Sequence, residues 1–542
     1  MNGHPTFTLE PWQVSEASLD LEVLAQTESV FALANGHLGL RGNLDEGEPA
    51  AIPGTFVSSV FEARPLPYAE GGYGYPESGQ TLINVTNGKL FRLLVDDEPF
   101  DVRYGDLLAH ERTLDLQAGL LYRNAHWASP AGQQVKVRTT RLVSFTQRAV
   151  AAIHYEVEAV DDEARIVVQS ELVANEPMPP PKTDDPRVAA ALESPLVDEE
   201  HSVRRGTVVL VHHTRRSGLR VATAMEHFVE GPRGTEIEHD ATPDIGRTTV
   251  TCRLRPGEKL TIVKFLAYSW SSVRSRQALH DQVTAALTAA THTGWPGLVQ
   301  EQREYLDDFW DRSDVEIEGD PEIQQAVRFG IFHTLQAGAR SERRAIPAKG
   351  LTGNGYDGHA FWDTEIYVLP LLIHTVPQAA ADALRWRHSI LPTARQRARD
   401  LGFAGAAFPW RTIDGRECSG YWPAGTAAFH INASIADAVI RYIDATEDLL
   451  FEEQVGVELL VETARLWRSL GHHDREARFR IDGVTGPDEY SSIADNNVYT
   501  NLMAQQNLRA AADAVERHPE KALELNVGDD EAASWRAAAA DM

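Results

Sequence analysis

Two adjacent carboxylates, Asp488 and Glu489, sit in the run Gly486-Pro487-Asp488-Glu489-Tyr490, and Asp495-Asn496-Asn497-Val498-Tyr499-Thr500-Asn501 follows almost at once. Acids on a Gly-Pro turn just ahead of a helix, with rings and amides close by, could protonate the leaving oxygen of a sugar. Glycoside cleavage needs one carboxyl group kept protonated near neutral pH, and burial against apolar or aromatic surface is the usual way to raise its pKa. Neighbouring residues cannot easily aim at one atom. One acid is therefore expected to face a substrate while the other orients a neighbour or caps the following helix. Pro-Asp turns are common and mostly structural, so the meaning of the motif depends on the loops around it.

Two further loops concentrate polar and aromatic side chains. The first runs from Lys349 to Glu365 and contains Gly350, Gly353, Gly355 and Gly358, then His359-Ala360-Phe361-Trp362-Asp363. Its glycine spacing does not fit a phosphate cradle between strand and helix. An indole next to a carboxylate suits a pyranose, whose CH face stacks on the ring while its hydroxyls donate to the acid. The alternative is that Phe361 and Trp362 are core and Asp363 caps the next helix. The second loop holds Trp410, Arg411, Glu417, Cys418, Tyr421 and Trp422. Together these suggest the wall of a carbohydrate cleft, although each alone reads equally as packing, and Glu417 as a surface charge. His430, on the helix after it, reads as a hydrogen-bonded interior histidine.

Other chemistries have little support. No His/Asp/Glu set has zinc or calcium spacing, so no metal or other cofactor is expected. There is no Gly-x-Ser-x-Gly elbow, and Cys252 and Cys418 lack the context of a catalytic thiol. A formal net charge of −28 argues against nucleic acid and against an anionic membrane surface. No run of ~20 apolar residues is present. The start, Met1-Asn2-Gly3-His4-Pro5, lacks a basic segment followed by an apolar one, so a cytoplasmic location is expected.

The elements that must hold these loops change character along the 542 residues, a length that calls for more than one domain. Up to about residue 268 the apolar period is two: Ile153, Tyr155, Val157 and Ala159 alternate with His154, Glu156 and Glu158. Val135 and Val137, Ile166 and Val168, and Val250, Cys252 and Leu254 repeat the pattern, predicting stacked antiparallel sheets. The Pro-rich segment 176–181 predicts a surface loop. From about Val273 the period is helical, with two helices before a boundary at Gly319-Asp320. There Asp320 is a natural N-cap, Pro321 fits the first helical position, and Ile323, Val327 and Ile331 predict a buried face. Val457, Leu460, Val461, Ala464 and Trp467 mark a later helix that Gly471 stops. Roughly six or seven helices are expected after residue 320, joined by long loops of the kind that usually carry function.

The three loops, in this order, resemble glycoside hydrolase family 65, the family of maltose, trehalose and kojibiose phosphorylases, and the resemblance is also close to its actinobacterial members. Glu28-Ser29-Val30-Phe31-Ala32-Leu33-Ala34-Asn35-Gly36-His37-Leu38-Gly39-Leu40-Arg41-Gly42 is similar to the family's opening signature. Ile346-Pro347-Ala348-Lys349-Gly350-Leu351-Thr352-Gly353 and Gly358-His359-Ala360-Phe361-Trp362-Asp363-Thr364-Glu365 are similar to its central one. The resemblance implies a multidomain β-plus-α chain: an N-terminal β-sandwich (1–268), a helical linker (269–318) and part of an (α/α)6 catalytic barrel (319–542). It implies Glu489 as general acid and Trp362 and Asp363 as holders of the reacting sugar, with His359, Trp410 and Glu417 as cleft residues. It also implies a disaccharide and inorganic phosphate as co-substrates, β-glucose 1-phosphate as product, and a homodimer, since relatives often dimerise.

Two departures from the family pattern stand out. The phosphate-holding residues and remaining barrel helices that the family implies would follow Met542, so a C-terminally truncated barrel with uncovered apolar helix faces is expected. Ser491 stands where many relatives carry histidine after the Glu-Tyr pair. Inverting phosphorolysis of an α-glucoside leads the readings. A hydrolase of the same fold would need a second carboxylate roughly 6.5–9.5 Å from Glu489, for which Glu417 and residues that would follow Met542 are the candidates. A carbohydrate-binding fragment without turnover is the third.

Overall fold

The alternating first half forms two large antiparallel sheets, with two small ones beside them, in the computed structural model, which describes residues 6–66, 71–177 and 192–542. One large sheet has ten strands and the other five. In the larger sheet Val150–Ala159 lies between Gln134–Val143 and Lys259–Ser271, with Tyr155 opposite both Thr139 and Ile262. The period of two does what it predicts: Ile153, Tyr155, Val157 and Ala159 are fully buried. They share one core with Ile166, Val168, Val250 and Leu254 of the smaller sheet. Tyr155 stacks on Phe91 of that sheet at 4.5 Å between ring centroids. Of the Pro-rich segment, residues 178–181 lie outside the described residues; Glu176 accepts hydrogen bonds from Asn84 and Asn87.

The last strand ends at Ser271, and Arg276–Ser313 follows as two helices meeting at Gly294, whose φ of 69° breaks the helical path two residues before Pro296. Leu279, Val283, Leu287 and Leu298 pack this pair onto Val209, Ala222 and Phe265 of the ten-stranded sheet.

Pro321–Gly338 begins as expected, with the Asp320 side chain accepting from the amides of Glu322 and Ile323. Its buried face keeps Ile331, as the apolar stripe predicts, but not Ile323. Ile323 is exposed, whereas Gln324, Gln325 and Arg328 are buried. The reason is an interface made of hydrogen bonds. Gln325 donates to the carbonyls of Thr8, Glu10 and Gln13, and Gln324 to that of Val315. Arg328 pairs with Asp314 and lies 3.7 Å over the Trp12 ring. Strand-edge carbonyls need donors when covered, so polar residues take the inward positions.

The opening signature docks the same two regions. The Ala34 amide donates to Gln336 and Arg41 donates to the Thr352 carbonyl. A Cβ on Gly39 would lie 2.3 Å from that of Leu351, so only glycine allows this approach.

After residue 320 the helices of ten or more residues are Pro321–Gly338, Pro377–Ser389, Leu391–Asp400, His430–Thr446, Val457–Leu470, Val498–Arg517 and Asp529–Ala540. The stripe from Val457 to Trp467 is buried among its neighbours, and the Trp467 indole donates to Asn507 on Val498–Arg517. Glu452, just ahead of this helix, lies in a π-helical turn and pairs with Arg517 and His518. Val498 and Leu502 are exposed. Among the described residues no helix is long and apolar enough to cross a membrane.

Candidate active site

The three polar loops meet at one end of the helical region, and backbone hydrogen bonds join them. Ala360 of the first loop and Thr412 of the second exchange both amide–carbonyl bonds, at 2.9 and 3.2 Å. Thr485, at the start of the third loop, donates its amide to the Ala427 carbonyl at 2.9 Å. The third loop closes on itself where Val484 pairs with Ala494.

This joining brings rings together from distant parts of the chain. Trp362 and Trp410 lie 6.5 Å apart with planes 30° from parallel. His430 stands edge-on to both, at 4.7 and 5.1 Å. Tyr499, on the helix after the third loop, approaches Trp362 at 6.3 Å and His430 at 5.8 Å. Trp410 and His430 are buried, whereas Trp362 and Tyr499, both half-buried, present the accessible surface of the cluster. The Trp422 side chain lies outside the described residues.

Asp363 does not cap the helix that follows it. It makes no capping bond and is exposed beside Trp362. A π-helical turn, Thr364–Val368, begins immediately after it. There Glu365 forms a buried bidentate pair with Arg387, at 2.7 and 3.0 Å, and Arg387 also donates to the Phe361 carbonyl. π-turns of this kind are frequent at functional sites.

Glu417 is neither a cleft wall nor a surface charge. Its carboxylate accepts from the backbone amides of Trp410, Arg411, Cys418 and Ser419, at 2.6, 3.4, 3.0 and 2.9 Å. Arg397 lies 3.4 Å away and donates to the carbonyls of Ala407, Phe408 and Gly425. The pair folds the second loop by satisfying its backbone, because a loop without a ladder must find other partners.

His359 likewise departs from its expected place in the cleft. It is fully buried, donates from Nε2 to the Gln80 carbonyl at 2.6 Å, and accepts at Nδ1 from Arg411. Burial first, and the Arg411 charge second, hold its pKa down at about 3. It is a neutral connector with a fixed tautomer.

His430 is interior, as expected, but neither of its ring nitrogens has a hydrogen-bond partner among the described residues. Burial alone lowers its pKa to about 4. Since the ordinary value is near 6.5, the unfolded chain binds this proton more tightly than the folded one. The associated stability is present above pH 6.5 and lost as pH falls towards 4, by about 3 kcal/mol. Denaturant midpoints measured from pH 7 to 4 should therefore fall less steeply in His430→Gln than in the parent; equal slopes would refute this.

Glu489 occupies the tip of the third loop. Asp488 closes the turn by accepting from the Tyr490 amide and the Ser491 hydroxyl, at 3.2 and 3.0 Å. Asn497, not an acid, caps the following helix by accepting from the Thr500 amide. Glu489 is left exposed, without a hydrogen bond or ion pair among the described residues, and Tyr490 is fully exposed. The expected burial of the acid is therefore absent. Local turn bonds consume Asp488 and direct its neighbour outward. Tyr499, Arg411 and the Glu365–Arg387 pair also belong to the site; of these only Tyr499, as part of the third motif, is signalled in the sequence.

Two family models match the chain. The N-terminal domain of glycosyl hydrolase family 65 covers residues 14–309, and the central catalytic domain of that family covers residues 328–542. An uncharacterized glycosyl hydrolase of Mycobacterium tuberculosis is 63% identical over 98% of the chain and 68% of its own length. The alpha,alpha-trehalose phosphorylase of Thermoanaerobacter brockii is 36% identical over 99% of the chain and 71% of its own length. Among solved structures, a putative kojibiose phosphorylase from the human microbiome superposes with a TM-score of 0.90 at 23% identity, covering 99% of this chain and 70% of that one. The last of these speaks to the fold.

Proposed function

Because the chain belongs to glycosyl hydrolase family 65, we propose that it is an inverting disaccharide phosphorylase acting on an α-glucoside. In this reading the helical region belongs to an (α/α)6 barrel, the ring of Trp362 carries the reacting glucose, and Asp363 accepts from its hydroxyls. Glu489, protonated, donates to the glycosidic oxygen as that oxygen leaves the anomeric carbon. A phosphate oxygen attacks the same carbon from the opposite face. The products are β-glucose 1-phosphate and a free sugar, and the Glu489 carboxylate regains its proton from solvent.

One observation favours phosphate over water as nucleophile. An inverting hydrolase needs a carboxylate base opposite the acid, and Glu417, the one sequence candidate among the residues present, is committed to four backbone amides. Phosphate brings its own negative charge and needs no enzymic base, only donors to hold it. Hydrolysis is the second reading, because the Mycobacterium tuberculosis relative is named a glycosyl hydrolase. A carbohydrate-binding role without turnover has no support in the comparisons.

The trehalose phosphorylase relative makes α,α-trehalose the first substrate to try. The test incubates the protein with trehalose, maltose, kojibiose or nigerose, with and without phosphate, and assays β-glucose 1-phosphate. Phosphate-dependent product is expected; turnover indifferent to phosphate would overturn the reading.

A further inference from the structure

Three consecutive residues of the first loop, Tyr356, Asp357 and Gly358, have φ of 53°, 57° and 73°. Two of them carry side chains, and a left-handed backbone at non-glycine residues persists only where the surroundings hold it. Here one carboxylate does the holding. Asp357 Oδ2 accepts from Arg64 and from Arg411, both at 2.9 Å, and Oδ1 accepts from Thr81 at 3.2 Å.

The three donors belong to different parts of the chain. Arg64 and Thr81 come from the paired strands Phe61–Pro65 and Ser78–Leu82 of the β-domain, and Arg64 also donates to Thr81. Arg411 follows Trp410 directly; it donates to the Tyr356 carbonyl at 3.1 Å and to His359 at 2.6 Å. Gln80, on the same β-hairpin, accepts from His359 through its carbonyl and from the Ile413 amide through its side chain. A Cβ on Gly358 would lie 2.4 Å from that of Leu82, so the loop and the hairpin are in direct contact.

We propose that Asp357 is a positioning residue: gripped between Arg64 and Arg411, it sets the spacing of Trp362 and Trp410, and through them the affinity for the reacting sugar. The β-domain thereby shapes a site whose aromatic rings all lie in the helical region. The inference rests on the reading of Trp362 as a sugar platform. Asp357 touches no reacting atom in it, so its removal should act on binding more than on the chemical step.

Asp357→Asn isolates the charge, because asparagine accepts a left-handed backbone readily. It is expected to raise KM for the disaccharide about tenfold, the loss of a charge-assisted hydrogen bond, with kcat nearly unchanged. Arg64→Ala should act in the same direction, and Arg64→Lys should recover part of the loss. Hydrogen exchange supplies a second reading independent of turnover. The amides of Ala360 and Thr412, which join the two loops, should exchange faster in Asp357→Asn, while that of Tyr155 in the sheet stays unchanged. Unaltered KM and unaltered exchange in both Asp357→Asn and Arg64→Ala would overturn the proposal. If the parent protein turns over none of the sugars, the proposed function fails, and exchange at Ala360 and Thr412 still decides whether the clamp orders the loops.

Discussion

Glu489→Gln is expected to lower disaccharide turnover by about 10²–10⁴-fold, the usual contribution of a general acid, without loss of folded stability. The second half of that expectation follows from the structure. Glu489 is exposed and makes no hydrogen bond or ion pair among the described residues, so an isosteric amide removes no native contact. A fall in rate at constant unfolding temperature would then report on proton donation alone. A substrate whose leaving group needs no proton sharpens the test: α-glucosyl fluoride should lose far less rate than the disaccharide. Near-parental turnover of the disaccharide by Glu489→Gln would remove this residue from the mechanism.

The largest effect on stability is expected at the pair Glu365–Arg387, both side chains of which are only 1% exposed. Removing one partner of a buried ion pair strands the other charge and costs about 3–5 kcal/mol. Arg387→Ala should therefore lower the unfolding temperature of the helical region markedly, as followed by scanning calorimetry. Replacing both partners, as Glu365→Leu with Arg387→Met, should recover much of the loss, since no charge is left unpaired. A double variant as unstable as the single one would show that the pair does not act as a unit. The loss also bears on the site, because Arg387 holds the Phe361 carbonyl and Glu365 lies in the turn that begins after Asp363.

Much of the fold was legible in local spacing. Tyr155 and its alternating neighbours predict a strand with one buried face, and that face is buried in the core the two sheets share. Asp320 before Pro321 predicts a capped helix start and provides one. The stripe from Val457 to Trp467 predicts the buried side of its helix. Reading failed where polar residues were recruited across the domain boundary. Ile323 was expected inside, but Gln324, Gln325 and Arg328 are buried in its place because strand carbonyls and Asp314 required donors there.

The site divides along the same line. The types of residue that can bind a sugar and protonate its oxygen stand in the sequence, as do the three loops that carry them. Their assignments do not. Glu417 and Glu489 are both acids near tryptophan or tyrosine in a glycine-bearing loop, yet one binds four amides of its own loop and the other faces outward. His359 reads as a cleft residue, and Asp357 carries no signal of its own. In the structure they belong to a clamp reaching Gln80 and Arg64, more than 270 positions earlier in the chain.

What the sequence determined by itself are properties set by neighbours two to four residues away: strand faces, helix stripes, caps and the inventory of reactive groups. What the tertiary structure alone decided is which of those groups is spent on holding the protein together and which is left for a substrate. The physical reason is that a carboxylate's or imidazole's role depends on the donors and acceptors that reach it. Those arrive from segments brought close only when the loops of the helical region close against the hairpin of the β-domain.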